Sequence, residues 1–183
     1  MKNTLITILV TIVVLFAATF IYLSTGAYDI SQASHHNAVT KFVIKLTKHS
    51  SIEKRMKDNE VPADIKDTAL FVSGFKLYNN KCVGCHSAPG EKPDDMAAGL
   101  YPKPPELYKH EEEDAAQEFF WIIKNGIKMT SMPAYEPKLN DEQIWALSAF
   151  VTQQLGKMKP EDYRAWKNKY SEQNESGHGI KVL

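Results

Sequence analysis

The chain opens on an unbroken apolar register. Residues 5–23 carry no charge and come close to the roughly 20 apolar residues that a helix needs to cross a bilayer. The pattern then changes. Residues 28–66 are polar and without glycine, and within them Val39, Phe42, Val43 and Leu46 recur at three- and four-residue steps, the period of a short amphipathic helix. Glu60-Val61-Pro62 ends any helix there. A denser helical stripe follows in Phe71, Gly74, Phe75, Tyr78 and Cys82, which predicts a helix over 67–86 with Asp67 as its N-cap. Gly74 in mid-helix costs on the order of 1 kcal/mol against Ala, so its place there implies the close approach of a second helix. Residues 141–155 supply one. Ile144, Leu147, Val151 and Leu155 form its buried stripe with Trp145 beside it, Asn140 and Gln143 spell a capping box, Leu139 and Ile144 a hydrophobic staple, and Gly156 the stop.

Between these helices, residues 87–108 hold Pro89, Gly90, Pro93, Gly99, Pro102, Pro104 and Pro105, too many breakers for regular structure. A loop that long is unusual in a compact domain unless it wraps something. The acidic run Glu111-Glu112-Glu113-Asp114 suits a helix start, with Asp114 and Gln117 capping a helix through Asn125 that Gly126 ends. In the tail, Tyr163, Trp166 and Tyr170 either cover the preceding domain or pack on a partner, and residues 171–183 have the composition of a disordered segment. The predicted fold is all-α. Its parts are an apolar span (residues 1–27), a polar, partly helical tether (28–66), a helical domain (67–157), and a short helix followed by a flexible tail (158–183).

Charge narrows the range of partners. The 22 basic and 22 acidic side chains cancel, so nothing points to nucleic acid, although residues 66–157 hold 10 Lys against 13 Asp and Glu, a net of about −3. Lys2 precedes the apolar run and the next basic residue is Lys41, a weak positive-inside signal that puts the N-terminus in the cytoplasm. A cleaved signal peptide ending near Thr25-Gly26-Ala27 is the alternative, but the apolar run exceeds the usual h-region of about 7–15 residues. Either way the remainder is exported. His35 and His36 read as solvated histidines, because no third metal ligand is evident nearby.

The two cysteines of the chain both lie in Cys82-Val83-Gly84-Cys85-His86. A disulfide framework and a four-cysteine zinc site are thereby excluded within one chain, and the βαβ pattern that accompanies a thioredoxin-like C-x-x-C is missing. On a helical turn, residues three and four apart share a face, so both thiols and the imidazole can point at one flat object. A haem with two vinyl groups fits: each thiol adds across one vinyl, and His86 ligates the iron. C-x-x-C-H is read as a c-type haem attachment site. For the opposite face of the iron, Met132 offers a soft thioether in a loop stiffened by Pro133, and Met129 is its competitor. His/Met ligation raises the haem potential and leaves no position open for a substrate. Lys76, Lys81, Lys128 and Lys138 lie near the expected haem edge, either as a docking set or as ordinary solvated charges.

In this order the motifs resemble the class I cytochrome c family over residues 67–156. Gly74 and Tyr78 match its Gly-x-x-x-aromatic ahead of C-x-x-C-H, Pro105-Glu106-Leu107 its Pro-x-Leu, Met132-Pro133-Ala134-Tyr135 its Met-Pro-Ala-aromatic loop, and Trp145 the aromatic of its C-terminal helix. The proline-rich insert is longer, no glycine immediately precedes Pro104-Pro105, and residues 158–183 are additional. With the apolar span, the resemblance implies an all-α, class I cytochrome c-like helical haem domain behind a single N-terminal transmembrane helix. It implies one covalent haem c on Cys82 and Cys85, iron held by His86 and Met132, and the Pro105 carbonyl accepting from the His86 ring. The implied protein is an electron carrier and not an enzyme, without nucleic-acid partner or small-molecule substrate. It would stand on the periplasmic side of the cytoplasmic membrane, between a quinol-oxidising complex or dehydrogenase and a terminal oxidase or reductase. Two rivals are a fixed haem-relay subunit of a larger respiratory complex and a small haem enzyme or sensor in which Met132 leaves the iron.

Overall fold

The uncharged run at the start of the chain folds as one exposed helix, α1 (Lys2–Ser24). The hydroxyls of Thr7, Thr11 and Thr19 each donate to the carbonyl four residues back, at 3.0, 2.9 and 2.9 Å, so these polar groups are satisfied within the helix, as a lipid environment requires. Among the described residues, α1 is the one helix long and apolar enough to cross a membrane. This computed structural model describes residues 2–109 and 116–171. The chain divides into two units, Met1–His35 and His36–Leu183.

Among the described residues of the second unit, regular structure is helical, apart from an isolated bridge between Ala88 and Glu91. Asn37 caps α2 (Ala38–Met56) by accepting from the Thr40 N–H at 2.8 Å, and Ile52 is its buried residue. Asp67 caps α3 (Thr68–Lys81) through the Ala69 N–H at 2.8 Å. The helix expected over 67–86 breaks at Cys82, and a separate turn, α4 (Val83–His86), carries the motif. The proline-rich stretch contains only α5 (Asp95–Ala98) and a 3-10 turn at Leu107–Lys109. Helix α6 (Ala116–Asn125) follows; the acidic run and the expected cap at Asp114 lie outside the described residues. Gly126, at φ 66°, ends α6 in the left-handed conformation that glycine adopts without penalty.

Helix α7 (Asp141–Ala149) starts on the complete capping box, Asn140 and Gln143 exchanging bonds of 2.9 and 3.1 Å. It does not run regularly to 155. A π turn occupies Phe150–Gln154 and a 3-10 turn Leu155–Lys157. The Thr152 hydroxyl donates to the Ser148 carbonyl at 2.9 Å, and the Ser148 hydroxyl to the Ala116 carbonyl at 2.6 Å. The local Thr152 bond competes with the backbone ladder, and it lies within the widened turn.

The core sits where α3 crosses α7. Ile144, Leu147 and Leu155 are wholly buried with Phe75, Tyr78 and Phe150; each such aliphatic side chain contributes roughly 1.5–3 kcal/mol on leaving water. A Cβ on Gly74 would run into the Ala146 carbonyl oxygen and lie 2.6 Å from Phe150 Cβ, which explains a glycine in mid-helix. Phe120 of α6 stacks on Trp145 at 4.1 Å. Gln117 donates to the Asn59 carbonyl at 2.7 Å, joining α6 to the segment after α2. His36, expected to be solvated, is half-buried and edge-on to Tyr101 at 5.2 Å; the proline-rich loop returns far enough to meet it.

The tail aromatics cover this domain. In α8 (Pro160–Ser171), Tyr163 and Trp166 stand edge-on to Phe75 at 5.3 and 5.5 Å, Tyr163 donates to Asn79 Oδ1 at 3.2 Å, and Lys167 pairs with Glu91 at 2.9 Å. Residues 172–183, read as a flexible tail, lie outside the described residues.

Candidate haem site

The motif turn is built from three backbone bonds: the N–H groups of Cys85 and His86 donate to the Cys82 carbonyl at 3.1 and 2.9 Å, and that of Ser87 to Val83 at 2.9 Å. Both thiols are free, Cys82 partly buried and Cys85 exposed. Burial pushes the Cys82 thiol up to about 12, with Lys81 opposing, so it stays protonated at neutral pH. Gly84 lies between them for a reason that sequence reasoning missed. Its carbonyl accepts from the Asp94 N–H at 2.7 Å, and a Cβ there would collide with the Asp94 carboxylate. The backbone bond ties the proline-rich loop to the turn, and a side chain at 84 would require the Asp94 carboxylate to move.

Ser87 was missed altogether, and Tyr78, named on the stripe and in the family motif, was not read as a hydrogen-bond donor that positions the turn. Ser87 turns the chain away after His86 at φ 62°, a conformation uncommon for a side-chain-bearing residue, and it is 3% exposed. Its carbonyl accepts from the Tyr78 hydroxyl at 2.6 Å. Desolvation holds the Tyr78 hydroxyl far above its ordinary range, so it remains a donor. Tyr78 carried a signal, its place on the aromatic stripe; Ser87 carried none.

The structure brings His86 and Pro105 together, Nδ1 lying 2.9 Å from the Pro105 carbonyl oxygen. Burial lowers the His86 pKa against the opposing effect of this bond, which favours the neutral ring. A neutral imidazole donating from Nδ1 keeps its Nε2 lone pair for a metal.

The methionine loop is held from three sides. Ile127 N–H donates to the Met132 carbonyl at 3.2 Å, Tyr135 N–H to Ile123 at 3.1 Å, and Glu136 N–H to Lys124 at 3.2 Å. A Cβ on Gly126 would sit 2.7–2.8 Å from Met132 O, Pro133 C and Ala134 N, so Gly126 ends α6 and also admits this loop. The Tyr135 hydroxyl donates to the Lys81 carbonyl at 3.1 Å, one residue before the motif. Burial raises the Tyr135 pKa, with Cys82 and Cys85 adding to it. Met132 is half-buried against the core, whereas Met129, at φ 60°, is 89% exposed. Of the four lysines, Lys81, Lys128 and Lys138 are exposed; Lys76 is half-buried and lies over the Tyr170 ring at 5.9 Å.

The donor set fits a covalent haem: two free thiols, an imidazole with its other nitrogen engaged, and a thioether packed on the same apolar cluster. Among the described residues, no group of three or more His, Cys, Asp or Glu side chains could hold a metal ion by itself. Residues 69–151, a little under half of the chain, match the family described as cytochrome C oxidase, cbb3-type, subunit III. No curated protein and no solved structure matches the chain. The match supports a c-type cytochrome, in which electron transfer and covalently bound haem c are implied. The described residues are all-α, with one apolar N-terminal helix and a helical domain whose residues 69–151 match that cytochrome family.

Proposed function

We propose that this chain is a membrane-tethered monohaem carrier of single electrons, its haem domain on the periplasmic face of the cytoplasmic membrane. Cys82 and Cys85 would carry the thioether links, and His86 and Met132 would hold the iron. The carrying observation is the His86–Pro105 contact, 2.9 Å, beside two free thiols in a domain that matches a cytochrome family. When bound, haem c supplies a one-electron Fe(III)/Fe(II) couple. The protein contributes orientation and electrostatics. Pro105 fixes the His86 ring and its tautomer, the bonds of Ile127, Tyr135 and Glu136 hold the Met132 loop, and two ligands together close the iron to substrate. Met132 is favoured over Met129 by its packing against the core.

Donor and acceptor follow from the location: a quinol-oxidising complex or dehydrogenase on one side, a terminal oxidase or reductase on the other. A second reading, a fixed relay subunit, is favoured by the family description, which names an oxidase subunit. Co-purification with a larger complex after mild solubilisation would select it over a free shuttle.

The test of the site is the optical spectrum of the oxidised, haem-loaded protein. The weak near-red band of a Met–iron bond should be present in the wild type and in Met129→Ala and lost in Met132→Ala. Loss in Met129→Ala alone would reassign the ligand. A wild type without the band that binds CO readily would replace the carrier by an enzyme or sensor.

A further inference from the structure

Helix α2 carries an apolar stripe that the domain does not use. Val39, Phe42, Val43 and Leu46 are 72, 66, 53 and 54% exposed, and they fall on one face at helical spacing. The residue by which α2 is buried, Ile52, lies roughly 130° around the helix from the centre of that stripe at 3.6 residues per turn. The stripe therefore faces away from the contact with α6. Opposite it stand Lys41, Lys45 and Lys48, all exposed, and residues 30–52 contain no acidic side chain.

We infer that α2 lies in the surface of an anionic phospholipid bilayer, its apolar stripe at the boundary of headgroups and acyl chains and its lysines on the water side, within the field of the lipid phosphates. Two observations select lipid as the occupant. An apolar face backed by lysines and free of acid is complementary to an anionic membrane and is the make-up of helices that lie in the interface plane. The chain also holds α2 near a bilayer: residues 25–37 between α1 and α2 extend at most about 45 Å, so a membrane that contains α1 is always within reach. The inference rests on the membrane-tethered reading above and adds a second contact to it, which would restrain the orientation of the haem domain.

The test uses the full-length, haem-loaded protein in phospholipid nanodiscs. With Cys82 and Cys85 consumed by the haem, Val43→Cys or Lys45→Cys supplies a single thiol for a nitroxide, whose collisions with oxygen and with a water-soluble nickel chelate report its depth. In discs of phosphatidylcholine with phosphatidylglycerol, the label at 43 should lose most of its nickel accessibility and gain oxygen accessibility, while the label at 45 stays open to nickel. In discs of phosphatidylcholine alone, or at high salt, the protection at 43 should weaken. Labels at both positions equally open to nickel in both discs would overturn the inference while leaving the anchor in place. Protection that persists in detergent and grows with protein concentration would overturn it in favour of contact between copies of the chain. A protein that never enters the disc fraction would remove the anchor and this inference together.

Discussion

Gly74 gives the residue scale its sharpest constraint, because the obstacle to a side chain there is the Ala146 carbonyl of another helix. A flexible side chain could move aside; a helix backbone moves only with its helix. Gly74→Ala should therefore cost about 1–3 kcal/mol by overpacking, read as a lower denaturation midpoint of the haem-loaded protein. An unchanged midpoint would show that the crossing yields to a methyl group. This position was legible in the sequence, since a glycine inside an amphipathic stripe opposes helix propensity and demands a packing reason. Gly126 was legible only in part. Its role as a stop follows from its place after an apolar helix, but its second role, admitting residues 132–134, depends on how the loop folds back. Ser87 was not legible at all, because nothing local distinguishes a serine at φ 62° from any other. The pairing of His86 with Pro105 entered only through a resemblance; they lie 19 positions apart across the proline-rich stretch, and no periodicity spans such a stretch.

At the scale of elements, caps and stripes were readable because each depends on neighbours within about one turn. Asp67 and the Asn140–Gln143 box start their helices as their residue types require. The π turn of Phe150–Gln154 escaped, since the apolar spacing of Ile144, Leu147, Val151 and Leu155 is that of a regular helix and carries no mark of a widened turn. The aromatic stripe of α8 was visible, but not its destination. That destination is testable at Tyr163, which is wholly buried. Tyr163→Ala should destabilise the haem-loaded protein by about 3–5 kcal/mol, as loss of a large buried aromatic does. Tyr163→Phe, which forfeits only the bond to Asn79, should cost about 0.5–1.5 kcal/mol. Equal losses in urea denaturation would move the weight from packing against Phe75 to the hydrogen bond.

For the whole molecule, the sum of charges hides an arrangement. The domain is net acidic, yet Lys81 is exposed at the end of α3, just before the motif, and Lys128 and Lys138 on the methionine segment and its continuation. If they steer a redox partner, the second-order electron-transfer rate should fall as ionic strength rises, and Lys81→Glu should lower the rate at low salt more than at high salt. A salt-independent rate would return these lysines to ordinary solvated surface. Lys76, engaged over Tyr170, is not expected to contribute. The fastening of the methionine segment bears on a different quantity. Backbone bonds tie it to Ile123 and Lys124 of α6, and the Tyr135 hydroxyl ties it to the last residue of α3. If Met132 holds a haem iron, as proposed, a segment stapled to two helices would act as a stiff spring, and a change of oxidation state would displace the thioether very little. Little nuclear rearrangement would then accompany each electron, and the speed of exchange would be left to distance and encounter.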